Sequence, residues 1–318
     1  MPALVMMISL MSALRSPGVL RCHQPAVAAR GLGLRATASA SEPTIPLPDG
    51  VLVVHKPQDW TSFDVVGKVR NTLEQHMKRQ GHRFSRKKRL KVGHGGTLDP
   101  MATGMLVIGV GTGCRRLQQY LSGAKGYAAR ARLGFETDTQ DATGESTATA
   151  PYDHVTVDDL HRAALGLTGT IDQRPPIYSA LKKDGKKLYD LARAGEIKPE
   201  EVEVRKVTVH KLVVSDYDAA SGTFGLDVSC GGGTYVRSLI EQLGRDVGSA
   251  AHMTALERTR HGPFCEEEEA RRAALEGEML AGVAPVLVDE FGDAERLLTA
   301  LDEAGEALTV LGRKQDDA

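Results

Sequence analysis

Residues 93–104 read Gly93-His94-Gly95-Gly96-Thr97-Leu98-Asp99-Pro100-Met101-Ala102-Thr103-Gly104, and an apolar run, Met-Leu-Val-Ile-Gly-Val, follows at 105–110. One carboxylate, Asp99, is thereby set between a glycine-rich turn and a segment that reads as a buried strand. Glycines at 93, 95 and 96 permit positive φ or the close approach of another backbone. Pro100 biases Asp99 toward an extended conformation and has no N–H to give to a ladder. The stretch predicts a carboxylate at the lip of a strand, held by a stiff turn and within reach of a ligand. On spacing alone such a turn is ordinarily only a turn, because Asp satisfies its own backbone there. The lysine and hydroxyl of a GxxxxGK[ST] loop are missing, so the turn does not read as a nucleotide-phosphate cradle.

Upstream, residues 50–54 read as a strand ended by Lys56-Pro57, and Thr61 or Ser62 caps a helix whose Val65, Val66, Val69 and Leu73 recur at helical spacing. Downstream, 113–121 is a short helix and 127–133 alternates as a strand. Thr156 with Asp159 three residues on opens a helix to about Leu167. Residues 202–217 and 223–230 are two strands joined by an Ala-Ser-Gly turn. Residues 234–247 form an amphipathic helix with Leu239, Ile240 and Leu243 on its apolar side, and 252–264 include a last strand. Strands and helices are interspersed without strict alternation. The fold class is therefore α+β, with a mixed, largely antiparallel central sheet flanked by helices.

Further segments stand in order around the Asp99 stretch. Val53-Val54-His55-Lys56-Pro57 and Trp60-Thr61-Ser62-Phe63-Asp64 precede it. Lys125-Gly126-Tyr127, Ala131-Arg132-Leu133-Gly134 and Thr137-Asp138-Thr139 follow it. Then come Arg174-Pro175-Pro176-Ile177-Tyr178-Ser179-Ala180-Leu181-Lys182, Gly185-Lys186-Lys187-Leu188-Tyr189 and Gly233-Thr234-Tyr235-Val236-Arg237. From about residue 48 to 265 this series resembles the TruB family of pseudouridine synthases. The resemblance implies the pseudouridine synthase fold, with an RNA-gripping insertion at about 171–200. It implies Asp99 as the catalytic nucleophile, Arg237 facing it, and Tyr127 as the platform on which a flipped base stacks. His94 would hold or displace the flipped nucleotides, although a histidine beside glycines is ordinarily a satisfied turn residue. Lys56 and Tyr235 would support the pocket and Leu256 wall it. His55 departs from the acid or Asn that many relatives carry before Lys-Pro.

The implied reaction breaks a C1′–N1 glycosidic bond, turns the uracil and joins C5 to C1′. It is an isomerisation, so no redox partner, metal or other cofactor is called for. A carboxylate is an ionised nucleophile at neutral pH without tuning. A nearby arginine would keep it charged and aimed. A uridine stacked in a folded arm must first be flipped out.

The chain has 318 residues and a net charge of −1, which on its face does not suit an RNA enzyme. The charge is segregated. Residues 1–42 carry +3 and residues 266–318 carry −10, which leaves +6 on 43–265. Eight Lys or Arg and no acid fall within 78–91. Such a block is ordinarily a solvated loop. Leading straight into the Asp99 turn, it reads as an RNA-backbone contact by Arg86, Lys87, Lys88, Arg89 and Lys91, joined by Lys182, Lys186 and Lys187 of the insertion. The four cysteines are scattered without a CxxC pair, so neither a zinc site nor a disulfide framework is indicated. No run of eighteen apolar residues is present, so no membrane span is expected.

Residues 1–42, rich in Ala, Ser and Arg with no acid before Glu42, have the composition of an organelle transit peptide. Its Arg-Ala-Thr-Ala-Ser-Ala-Ser end favours chloroplast over mitochondrion. The catalytic domain is expected over 43–265 and an acidic, helix-prone tail over 266–318. Many family members carry a PUA-type RNA-binding domain at this end, and an acidic segment of 53 residues does not suit one.

The expected activity is a tRNA pseudouridine synthase acting on uridine 55 of the T arm, with tRNA as partner and no obligatory protein partner. Two alternatives stand beside it. One is a guide-dependent, dyskerin-like enzyme acting on ribosomal RNA, against which the insertion and the missing PUA domain speak. The other is a non-catalytic tRNA-folding chaperone, against which Asp99, Tyr127 and Arg237 together speak.

Overall fold

The computed structural model describes residues 46–266, 270 and 280–316. Residues 1–42, for which a transit peptide is expected, lie outside the described residues. A ten-stranded sheet runs β1(Gly50–Lys56), β3(Thr103–Val110), β12(Ala251–His261), β4(Lys125–Leu133), β11(Thr223–Cys230), β10(Arg205–Asp218), β7(Gly169–Gln173). Neighbours are antiparallel except β3 with β12, which run parallel. The short strands β2(Val92–His94), β13(Phe264–Cys265) and β14(Ala281–Gly282) border it, and β13 and β14 are also parallel. The mixed, largely antiparallel sheet is as the sequence predicts.

β1 and β3 are nearly continuous apolar runs because both of their faces are covered. Leu52, Val54, Leu106 and Ile108 face α1(Ser62–Arg79), where they meet Val65, Val66, Val69 and Leu73. Val51, Val53, Met105 and Val107 face the other way, toward Tyr120 and Phe264. Thr61 caps α1 in a reciprocal box with Asp64. Farther along the sheet, Ala129, Ala131, Leu226 and Val228 pack against α3(Val157–Gly166) and α5(Val236–Asp246). Thr156 and Asp159 form the expected box at the start of α3.

Two expectations change. The insertion does not begin at 171, because Gly169–Gln173 is itself an edge strand paired with the start of β10. The inserted unit is residues 174–204, which has its own apolar cluster of Leu188, Ile197 and Val202. Its hairpin stacks Lys182 on Lys187 and Lys183 on Lys186 about a turn in which Asp184 and Gly185 both take positive φ. The acidic C-terminal segment is also not a separate tail. Val286, Phe291 and the Leu297, Ala300 and Leu301 side of helix α6(Ala294–Asp316) complete the core between α1 and β1. Among the described residues no helix is long and apolar enough to cross a membrane.

Candidate active site

Asp99 sits at the entry to β3, on a turn tied down at several points. Ser62, at the start of α1, accepts the Leu98 N–H at 2.9 Å and donates to the Leu98 carbonyl at 3.3 Å. The Pro100 carbonyl accepts from the Asp59 N–H at 2.8 Å and from Lys56 Nζ at 3.1 Å. Lys56 is fully buried and also donates to Pro57 and Trp60 carbonyls, both at 2.7 Å. Desolvation lowers its pKa to about 8, against the opposing pull of Asp99. Lys56 therefore supports the turn from behind and does not line the cavity.

Gly95 is required here. A Cβ on it would stand 2.7 Å from the Tyr120 Cβ, so only glycine lets the turn pack against that ring.

Arg237, from the first turn of α5, lies with Nε 2.9 Å from Asp99 Oδ2, and its side chain is 4% exposed. The approach is an ion-pair contact off the N–H axis, since Nε makes no directed hydrogen bond. The other nitrogens fix the guanidinium: Nη1 donates to the Thr139 carbonyl at 2.7 Å and Nη2 to the Tyr178 carbonyl at 3.0 Å. Asp99, Tyr127, Tyr235, Arg237 and Leu256 meet around one cavity of about 80 Å³, so five of the predicted site residues converge.

Burial pushes the Tyr127 phenol up to about 12, so it is protonated and neutral at physiological pH. The charge of Arg258, a residue the sequence analysis passed over, opposes that rise. Arg258 is 1% exposed on β12, and burial lowers its pKa against the opposing pull of Tyr127 and Asp99. Its Nε donates to the Met105 carbonyl at 2.7 Å and its Nη2 to the Gly96 carbonyl at 3.3 Å. The signal was present: Arg258 follows Leu256 by two and so shares its strand face.

His94 ends β2 half-buried, and its Nδ1 accepts the Gly96 N–H at 3.4 Å. Desolvation and then Arg258 lower its pKa. It serves its own turn and is not among the residues that line the 80 Å³ cavity.

Of the predicted RNA-backbone residues, Arg86, Lys87, Lys88 and Lys91 are exposed, whereas Arg89 pairs with Glu74 at 2.9 Å and bonds Asn71. Lys186 pairs with Glu196 at 3.1 Å and Lys187 donates to Tyr189 Oη at 2.8 Å, while Lys182 is exposed. Lys88, Arg89 and Lys91 share a 680 Å³ cavity with Arg83 and Arg115 at the far end of β3. Its one carboxylate, Asp49, is occupied by the Thr112 N–H and hydroxyl. A larger cavity of about 1000 Å³ behind α5 carries six carboxylates and two arginines, the wrong sign for a phosphate backbone. Among the described residues no group of three His, Cys, Asp or Glu side chains could hold a metal ion.

A sequence profile described as TruB family pseudouridylate synthase (N terminal domain) matches residues 82–236. Human "Pseudouridylate synthase TRUB1" is 42% identical over 223 residues, covering 70% of this chain and 63% of that protein. The chain thus spans under two thirds of that relative. "tRNA pseudouridine synthase B" of Thermobifida fusca is 41% identical over 264 residues, covering 79% of this chain and 85% of that protein. Among solved structures, a Cbf5-Nop10-Gar1 complex matches with TM-score 0.50 and 27% identity over 73% of this chain and 57% of that one. An archaeal box H/ACA sRNP Nop10-Cbf5 complex matches in fold, with TM-score 0.51 and 23% identity over 81% of this chain and 59% of that one.

Proposed function

The chain belongs to the TruB family of pseudouridylate synthases, and on that footing we propose that it isomerises uridine to pseudouridine in tRNA, at uridine 55 of the T arm. The observation that carries the reading is the Asp99–Arg237 pair at the wall of a cavity shared with Tyr127, Tyr235 and Leu256. A buried guanidinium beside a half-buried carboxylate aims it at the sugar of an extruded nucleotide. Tyr127, held neutral, offers its ring as a stacking platform and its hydroxyl as a donor. Leu256 supplies the apolar wall, and Tyr235 lies beside Ser179 of the inserted unit.

The exposed Arg86, Lys87, Lys88 and Lys91, with Lys182, Lys186 and Lys187, take the RNA backbone. Arg89 contributes mainly by holding its loop on α1 through Glu74. His94 acts through the shape of the turn before Asp99. We place the activity in a stand-alone enzyme. A guide-dependent reading has in its favour a likeness of fold to Cbf5, while identity to the tRNA enzymes is higher. Residues 1–42 are proposed to direct the chain to an organelle, the chloroplast first. Their composition supports this, and the destination of a fluorescent fusion of that segment tests it.

The test uses the purified full chain, an unmodified tRNA transcript and an Asp99→Asn variant, with pseudouridine mapped by chemical labelling and reverse-transcription stops. A single new stop at T-arm position 55, absent with the variant, is the expected result. Pseudouridine formed by Asp99→Asn removes the nucleophile assignment. Salt-sensitive binding without any stop turns the reading toward a guided enzyme or a chaperone.

A further inference from the structure

β3 is bordered along one edge by β1 throughout. Its other edge is divided. β2 pairs with residues 108–110 and β12 with residues 103–104. Between them, residues 105–107 face no strand. An unpartnered buried backbone group is costly, so this gap needs filling.

Two donors and one acceptor fill it. The Gly95 N–H donates to the Val107 carbonyl at 2.8 Å. Arg258 Nε donates to the Met105 carbonyl at 2.7 Å. The Val107 N–H donates to His261 Nδ1 at 3.2 Å. Because Nδ1 accepts, the imidazole proton is on Nε2, which stands 3.1 Å from the Gly95 carbonyl and donates to it. Residues three apart on a regular strand point to opposite faces. A register shift between Arg258 and Arg260 brings His261 onto the same gap as Arg258. The two carbonyls of the glycine turn, Gly95 and Gly96, are thus each held by one β12 side chain that also binds β3.

His261 is fully buried. The charged groups around it are Arg258 of its own strand and Lys125 of β4, and Tyr120 meets it edge-on from the helix Leu117–Ser122. An imidazolium here would place a third cation beside these two and turn a donor on the Val107 N–H. The site accepts only the neutral Nε2–H tautomer.

We propose that His261 is a positioning residue of the isomerisation: it fastens the glycine turn to β3 and thereby fixes Asp99 four residues on. The proposal rests on the pseudouridine synthase reading. A turn with two adjacent glycines has little stiffness of its own. A displacement of about 1 Å at a reacting group can cost about 100-fold in rate.

The test compares His261→Gln, His261→Asn and His261→Leu, scoring kcat and KM on a tRNA transcript together with Tm. Gln places its amide N–H near the Nε2 position and keeps a donor for Gly95. Asn places its oxygen near Nδ1 and keeps an acceptor for Val107. The expected result is a kcat about 100-fold lower for Leu with KM within about 2-fold, most of the loss restored by Gln, and little restored by Asn at comparable Tm. Equal kcat for Gln and Asn, or kcat that only follows the folded fraction, overturns the proposal. If the Leu variant does not fold, the Gln–Asn comparison decides alone. An inactive wild type refutes the functional reading and not the positioning role, which then rests on the Gln–Asn difference in amide exchange at Gly95 and Gly96.

Discussion

Arg237 stands with Nε 2.9 Å from Asp99 Oδ2 while its two terminal nitrogens hold the Thr139 and Tyr178 carbonyls. One guanidinium therefore joins the carboxylate, the turn that holds Thr139 and the inserted unit of residues 174–204. A lysine has the charge but not the planar three-point fork. Arg237→Lys is expected to lower kcat by about 100-fold and to cost about 1–2 kcal/mol of stability, because two part-buried carbonyls lose their donors. Steady-state kinetics beside urea denaturation checks both. A variant with near wild-type kcat shows that the fork does not aim Asp99.

Gly104 tests how tightly β3 meets β12. It has φ +100°, and a Cβ there would come 2.6 Å from the Arg258 amide nitrogen and closer still to its carbonyl oxygen. Both are backbone atoms and cannot swing away. Gly104→Ala is expected to destabilise by about 2–4 kcal/mol and to lower activity by moving Arg258. A urea midpoint within error of the wild type contradicts this.

Asp99, Tyr127, Tyr235 and Arg237 were legible because each lies in an ordered motif, and the geometry brings them to one cavity with Leu256. Arg258 was legible in principle from its spacing to Leu256, but a charged residue on a strand invites an outward reading. His261 was not: its facing depends on a bulge, which leaves no mark in a simple alternation. The C-terminal segment misled for another reason. Its acidic charge hid the spacing of Leu297, Ala300, Leu301 and Ala304, one face of a helix, all of them buried.

That packing makes the C-terminal segment part of the fold. Phe291 is fully buried against α1, edge-on to Trp60 at 6.1 Å, and its carbonyl accepts the Thr72 hydroxyl at 2.8 Å. Phe291→Ala is expected to cost about 3–5 kcal/mol. Deleting residues 280–318 removes Val286, Phe291, Leu297 and Leu301 together and is expected to leave an insoluble chain. A truncated protein that melts cooperatively near the wild-type temperature would show that β1 and α1 hold without it.

Acid should act first through histidines. His94, His252 and His261 are all held below the usual 6.5, chiefly by desolvation, His261 most strongly. A depressed histidine stays neutral in the folded protein while the unfolded chain takes up the proton. Its stabilising contribution is therefore complete above about pH 6.5 and is lost as pH falls from there toward the folded value. Urea midpoints should decline below about pH 6.5, before the carboxylates titrate. His261→Gln removes the largest of these shifts, so its midpoint should fall less between about pH 6.5 and 5 than the wild type's. Parallel declines for the two proteins would assign the acid sensitivity elsewhere, and Lys56 and Lys125 could not supply it. Both are lowered to about 8 by burial, so each is fully protonated in folded and unfolded chains alike below pH 7.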